Sequence, residues 1–217
     1  MLPQTETFET MLNEHDHAKI TPEQFLVWAA GQEQRHELVN GEVVAMAGAG
    51  RQHDRIIANL IAAIRPQTRG GPCQTFTSDT YVTTGPSTKR MPDMGVDCGN
   101  PPDDSLMADR PSLVVEVLSP TTFSFDVSVK LAEYKALPSL DYILFVNTER
   151  PSVQSFRRGT DGRWEDALVD GLDARIKLEK LNISVSLRDI YDEIKFRPKP
   201  MLVIPEDDEP TGRFSST

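Results

Sequence analysis

The stretch SLVVEVLSPTTFSFDVSVKLAEYKAL, from Ser112 to Leu137, constrains the fold of this chain more than any other. Its first seven residues read as a strand buried on both faces, yet a carboxylate, Glu116, stands in the middle. An ionised carboxylate taken out of water costs several kcal/mol unless it is paired, hydrogen-bonded or bound to a metal. Something must therefore meet Glu116. Beyond this strand, FDVSVKLAEYKAL sets Val127, Leu131 and Tyr134 on one helical face, with Lys130 near that face's edge. DYILFVNT then reads as another strand. Strand, helix, strand predicts a crossover helix joining a parallel pair.

The segments on either side fit the same α/β plan. TPEQFLVWAAGQ opens a helix by rule, with Thr21 as N-cap, Pro22 at the first helical position, Gln24 completing a capping box and Gly31 ending it. In RHELVNGEVVAM two short β-type runs flank Asn40-Gly41, a strong two-residue hairpin signal. From Arg51 to Arg65, Ile56, Ile57, Leu60, Ile61 and Ile64 recur at helical spacing, which predicts an amphipathic helix stopped near Pro66 and Gly70-Gly71. Strand-like runs follow at CQTFTSDTYVTT, MPDMGVDCG, SVQSFRR and WEDALVD, and a last helix is expected from Ser186. There is no internal repeat.

At 217 residues the chain is long enough for one domain with a sizeable core. We expect that domain over residues 19–197, between a flexible acidic N-terminus (1–18) and a flexible Pro-rich acidic tail (198–217). The N-terminal stretch is polar and acidic, unlike a secretory leader, and no apolar run approaches the ~20 residues of a bilayer-spanning helix. Those features predict a cytoplasmic protein away from membranes. Cys73 and Cys98 lack zinc or thioredoxin-like spacing and are expected as free thiols. A net charge of −10 argues against a protein that coats nucleic acid through a broad basic face. Half of that charge sits in the two ends, however, which leaves room for a local basic channel.

Asp93 follows Pro92 at the start of PDMGVDC, and Glu116 lies centrally in LVVEVLS. If these strands are neighbours, both carboxylates can point to the same end of one sheet. Oxygen ligands on rigid strands suit Mg²⁺ or Mn²⁺, hard cations held by one or two carboxylates plus waters and substrate oxygens. From the helix after Glu116, Lys130 could reach a bound water or a scissile phosphate. Pro-Asp, then Glu, then Lys describes a metal-dependent phosphodiesterase site.

On RHELVNGEVVAMAG, RQHDRIIANL, MPDMGVDCG, PSLVVEVLSPTTFSFDVSVKLAEYKAL and DYILFVNTE, from about Arg35 to Glu149, the chain resembles the PD-(D/E)xK nuclease superfamily. Within it the match is to the Uma-type branch of restriction-endonuclease-like proteins, formerly a domain of unknown function. The resemblance implies a restriction-endonuclease-like mixed β-sheet flanked by α-helices, with an N-terminal helix and β-hairpin. It implies Asp93 and Glu116 as metal ligands and Glu37 as a further acid close to the site. The shell would be completed by a backbone carbonyl beside Glu116, that of Val117. Leu118 stands where the lysine of the usual E-x-K motif would be, so the resemblance implies that Lys130 takes that lysine's place from the following helix. Asp97, where the family's strand continues apolar, is expected to weaken or extend the metal site.

Each residue also has a plainer reading. Glu116 could be paired with an arginine, Asp93 could open a strand, Glu37 could be an outward charge on a hairpin, and Lys130 could be a surface lysine whose stem covers apolar area. His53 is kept as a possible site-lining residue near the start of its helix, and Asp126 is expected to cap the crossover helix. The reading that gathers these residues is a Mg²⁺- or Mn²⁺-dependent endonuclease acting on nucleic acid, with DNA as the expected substrate and a homodimer as the working unit. The alternative is a catalytically inactive nucleic-acid- or protein-binding module on the same fold.

Overall fold

The computed structural model describes residues 19–46, 48, 50–118 and 125–196. The expectations for the two ends, and the side chain of Asp126, lie outside what is described. Helix α1 (Pro22–Ala29) starts at the predicted capping box: Thr21 Oγ1 accepts the Gln24 N–H at 3.2 Å and Gln24 Oε1 accepts the Thr21 N–H at 2.9 Å. The hairpin follows as β1 (His36–Val39) and β2 (Glu42–Ala45). Asn40 at φ 52° and Gly41 at φ 87° supply the two left-handed residues that a tight hairpin turn of this hand requires.

The amphipathic helix is α2 (Arg51–Thr68), which runs past its expected stop and keeps Pro66 inside its last turn. Proline there forfeits one backbone bond, to the carbonyl of Ala62. Ala62 and Pro66 are both exposed, so water can take that carbonyl, while Thr68 is buried and anchors the end.

The central sheet has six strands in the order β10-β9-β8-β7-β6-β3: β3 (Gln74–Thr77), β6 (Met94–Asp97), β7 (Pro111–Leu118), β8 (Tyr142–Asn147), β9 (Ser152–Arg158) and β10 (Trp164–Asp170). Of its neighbours only β7 and β8 are parallel, with Glu116 beside Phe145, and the helix joining them is α3 (Phe125–Ala136). That is the predicted crossover. A second sheet, β2-β1-β5-β4, is completed by β4 (Val82–Gly85) and β5 (Thr88–Arg90). The run CQTFTSDTYVTT, which reads as one strand-like stretch, thus divides between the two sheets. A short hairpin, β11 (Arg175–Leu178) and β12 (Ile183–Ser186), precedes the single-turn α4 (Leu187–Ile190), capped by Ser186 Oγ on the Asp189 N–H.

Alternation along β7 sorts the core into two layers. Leu113, Val115 and Val117 pack with Ile56, Leu60 and Ile64 of α2 and with the β11–β12 hairpin and α4. Val114 joins Tyr134, Leu140, Ile143 and Phe145 on the opposite, α3 side, and Glu116 shares that parity. Both faces are covered, which is why the strand reads as nearly continuous apolar sequence. At Gly95 on β6 a Cβ would lie 2.3 Å from the Phe76 ring and 2.5 Å from the Leu113 carbonyl oxygen, so only glycine fits between these strands.

The cysteines depart from expectation. Cys73 and Cys98, expected as free thiols, form a disulfide. Antiparallel pairing of β3 with β6 sets Gln74 opposite Asp97, so the next pair outward is Cys73 and Cys98, with Cα atoms 4.0 Å apart. A sequence separation of 25 conceals that cross-strand contact. Among the described residues no helix is long and apolar enough to cross a membrane.

Candidate active site

Strand pairing brings Asp93 and Glu116 together. Met94 pairs with Val115, so Asp93, one residue before β6, falls next to the far end of β7, where its Oδ2 accepts the Val117 N–H at 2.6 Å. The same oxygen lies 3.2 Å from His53 Nε2, which reaches it from the first turn of α2. Burial works against protonation of His53, but its hydrogen bond and attraction to Asp93, together with the nearby Asp54 carboxylate, outweigh that, so the imidazole pKa is raised. Its Nδ1 is buried without a hydrogen bond among the described residues, and Asp54 Oδ1 lies 3.6 Å away.

Glu116 points to the α3 side and is 7 % exposed. Its Oε1 accepts from Tyr134 OH at 2.7 Å and from Lys130 Nζ at 3.2 Å. Lys130 and Tyr134 are one turn apart on α3, so both reach the same strand position. Burial is the largest influence on Glu116 and pushes its pKa up to about 7; Lys130 pulls it down, Asp93 and Glu37 push it further up, and the Tyr134 hydroxyl pulls it down. Tyr134 is itself raised well above its ordinary value, by burial and then by the Glu116 charge.

The second sheet supplies the other half of the cluster. Glu37 on β1 accepts at Oε1 from the Met91 N–H (3.0 Å), with Lys130 Nζ 3.2 Å away, and at Oε2 from Arg90 Nη1 (3.0 Å). Arg90, 3 % exposed, also grips Glu133 of α3 in a two-pronged pair at 2.7 and 2.8 Å, and Thr84 Oγ1 donates to the same carboxylate at 2.9 Å. Arg90 therefore ties the small sheet to the helix that carries Lys130. The outward-facing reading of Glu37 and the surface reading of Lys130 both fail, since each is buried.

Asp93, Glu116, Lys130, Glu37 and His53 are thus brought into one cluster, and Asp97 is not. It lies at the opposite end of β6, where its carboxylate accepts the N–H groups of Gly99, Asp109 and Arg110 at 2.7–2.9 Å. There it holds the β6–β7 connection, away from Asp93 and Glu116. Arg90, Glu133 and the role of Tyr134 were not apparent from the sequence alone. The signals were there: Glu133 and Tyr134 follow Lys130 at helical spacings of three and four, and Arg90 precedes Asp93 by three residues.

The oxygens suit a hard cation. Among the described residues neither Asp93 Oδ1 nor Glu116 Oε2 has a hydrogen-bond partner. Three carboxylates (Glu116, Glu37 and Glu133) pair with Lys130 and Arg90, and the fourth, Asp93, pairs with His53. No group of three or more His, Cys, Asp or Glu side chains is gathered as a metal cage among the described residues. An ion here would rely on two carboxylates, backbone and water, the pattern typical of Mg²⁺.

Residues 22–188 match the Uma2 family, described as "Putative restriction endonuclease". The chain belongs to this family. It is similar to two Synechocystis proteins named as uncharacterized: slr1290, at 29 % identity over 82 % of this chain and 94 % of the relative, and sll1609, at 28 % over 69 % and 87 %. Its fold is that of an Anabaena variabilis protein whose crystal structure is described as a "putative nuclease belonging to DUF820". The two superpose with a TM-score of 0.65 at 18 % identity, over 79 % of this chain and 97 % of the other. The α/β class and the restriction-endonuclease-like resemblance read from the sequence agree with these matches.

Proposed function

We propose that this member of the family is a Mg²⁺- or Mn²⁺-dependent endonuclease that hydrolyses DNA phosphodiester bonds at the Asp93–Glu116–Lys130 cluster. The observation that carries the reading is a buried Glu116 whose Oε1 is bound by Lys130 and Tyr134, beside an Asp93 that approaches from the neighbouring strand. Asp93 and Glu116 would hold the ion. The Val117 carbonyl would complete the shell, because the N–H and C=O of one strand residue point to the same side, and the Val117 N–H already points at Asp93. Such an ion, when bound, polarises a phosphoryl oxygen and activates water.

The remaining roles belong to the chain itself. Lys130 Nζ, 3.2 Å from both Glu37 and Glu116, is positioned to orient the attacking water and to balance charge that develops on the phosphate. Tyr134 fixes the Glu116 rotamer, and Glu37, secured by Arg90 and the Met91 N–H, fixes Lys130. His53 keeps Asp93 Oδ2 engaged, so Oδ1 is the oxygen presented outward. A two-fold homodimer would supply the two sites needed to cut both strands of a duplex.

The test is cleavage of supercoiled, linear and single-stranded DNA with Mg²⁺ or Mn²⁺, alongside EDTA and the Asp93→Ala and Glu116→Ala variants. Metal-dependent cutting lost in both variants is the expected result; cutting that persists in both sinks the assignment of the site. One observation favours a second reading, an inactive binding module: among the described residues no cage of three ligating side chains is preformed. Equal DNA affinity with and without divalent ions, with no cutting, would favour that module.

A further inference from the structure

A cavity of about 540 Å³ opens beside the cluster, with Asp93 and His53 among its lining residues. Its occupant would sit next to whatever phosphate Asp93 faces. The volume lies in the range of small-ligand sites and suits one nucleotide, not a stack of base pairs. Asp54 and Asp93 line it together with Arg35 and His53, so no net positive charge draws a second phosphate and the neutral part of a nucleotide is the better guest. Ile57 and Ile61, one turn apart on α2, form one apolar wall, and Met46 after β2 contributes another apolar surface. These surfaces suit the faces of a flat ring. Gln34 offers its edge a fixed acceptor: its Nε2 donates to the Met46 carbonyl at 3.2 Å, which leaves Oε1 without a hydrogen bond among the described residues. Arg35, hydrogen-bonded through Nη1 to Ser78 Oγ, joins the hairpin side of the cavity to the segment after β3.

We propose that this cavity takes one unpaired nucleobase flanking the scissile phosphodiester, so that the preferred substrate is DNA with unpaired nucleotides over fully paired duplex. The substrate preference rests on the nuclease reading; the binding does not require cutting. Extruding a base is cheapest where pairing is already broken, and the apolar walls and Gln34 then recover stacking and hydrogen bonding.

The experiment measures binding of the full chain, in Ca²⁺, to three probes of one sequence: a paired duplex, the same duplex with a single-nucleotide bulge, and the single strand. Each carries 2-aminopurine at the bulge position. The expected result is roughly tenfold tighter binding of the bulged duplex than the paired one, with a change in probe fluorescence. Ala58→Trp, at an exposed position on the cavity wall, should erase the preference while leaving paired-duplex affinity unchanged. Gln34→Ala should weaken it without filling the cavity. Equal binding of paired and bulged probes, a preference untouched by Ala58→Trp, or no binding to any probe overturns the proposal. The same probes incubated in Mg²⁺ separate the two readings. Cutting without a binding preference counts against the cavity alone, and a binding preference without cutting counts against the nuclease alone.

Discussion

Replacing Glu116 with glutamine should make the protein more stable relative to wild type as the pH rises, although it removes an ion pair. In the native state burial holds the Glu116 pKa at about 7, against an ordinary value of 4.5, even with Lys130 and Tyr134 donating to it. Between those values the folded chain keeps a proton that the unfolded chain has released. Stability from this group is therefore fully present below pH 4.5 and falls as the pH rises to about 7. Each pH unit across that window costs about 1.4 kcal/mol, so ionising Glu116 removes roughly 3 kcal/mol by pH 8. Glutamine has no such proton to lose. Urea unfolding of both proteins in EDTA, at constant ionic strength from pH 4.5 to 8, reads the difference directly. Their stabilities should diverge by roughly 3 kcal/mol in favour of the variant, and the gap should level off above pH 7. Mg²⁺ or Mn²⁺ added at pH 8 should raise wild-type stability and leave the variant unmoved. Parallel pH curves would refute the claim that this carboxylate is held against its preference, and with it the reason for expecting an ion there.

Arg90→Met should destabilise the protein by about 3–5 kcal/mol in urea unfolding, because it strands the half-buried Glu133 without its cation and leaves the buried Glu37 with Lys130 alone; a loss under 1 kcal/mol would show that the tie between small sheet and helix is dispensable. His53→Gln should flatten part of the stability profile in the same sense as Glu116→Gln. The raised imidazole pKa contributes stability below its unfolded value near 6.5, and that contribution is lost as pH rises through the folded value, which NMR titration of the ring can follow. Gly95→Ala should cost about 3 kcal/mol, the upper end of overpacking penalties, since the new methyl meets a backbone carbonyl that cannot swing aside; a thermal scan matching wild type would contradict the strand spacing. Reduction of Cys73–Cys98 should lower stability by about 3 kcal/mol, and thiol titration of the native, unreduced protein should find neither sulfur reactive.

Local chemistry was legible from the chain itself. Thr21 with Gln24, Asn40 with Gly41, and the isoleucine and leucine spacing of α2 each specify an element through contacts or dihedrals spanning a few residues. So did the one non-local demand: a carboxylate inside an apolar strand requires a partner wherever the fold can supply one. Lys130 and Tyr134 were within reach of that logic because α3 must pack back on the strand that precedes it.

What the tertiary structure alone decided is which distant segments meet. Arg90 reaches Glu37 and Glu133 across 53 and 43 residues, respectively, and no periodicity in the sequence encodes either pairing. Asp97 ends β6 and Asp93 immediately precedes it, yet one meets backbone N–H groups of the β6–β7 connection and the other meets Val117 and His53. The cysteines became a bridge because β3 and β6 are antiparallel neighbours in one register. Pro66, which ends most helices, stayed inside α2 because the carbonyl it leaves unpaired faces water. Elements follow from short-range sterics and hydrogen bonding that a sequence states residue by residue. A site follows from strand order and register, which are set by burial of the whole chain at once.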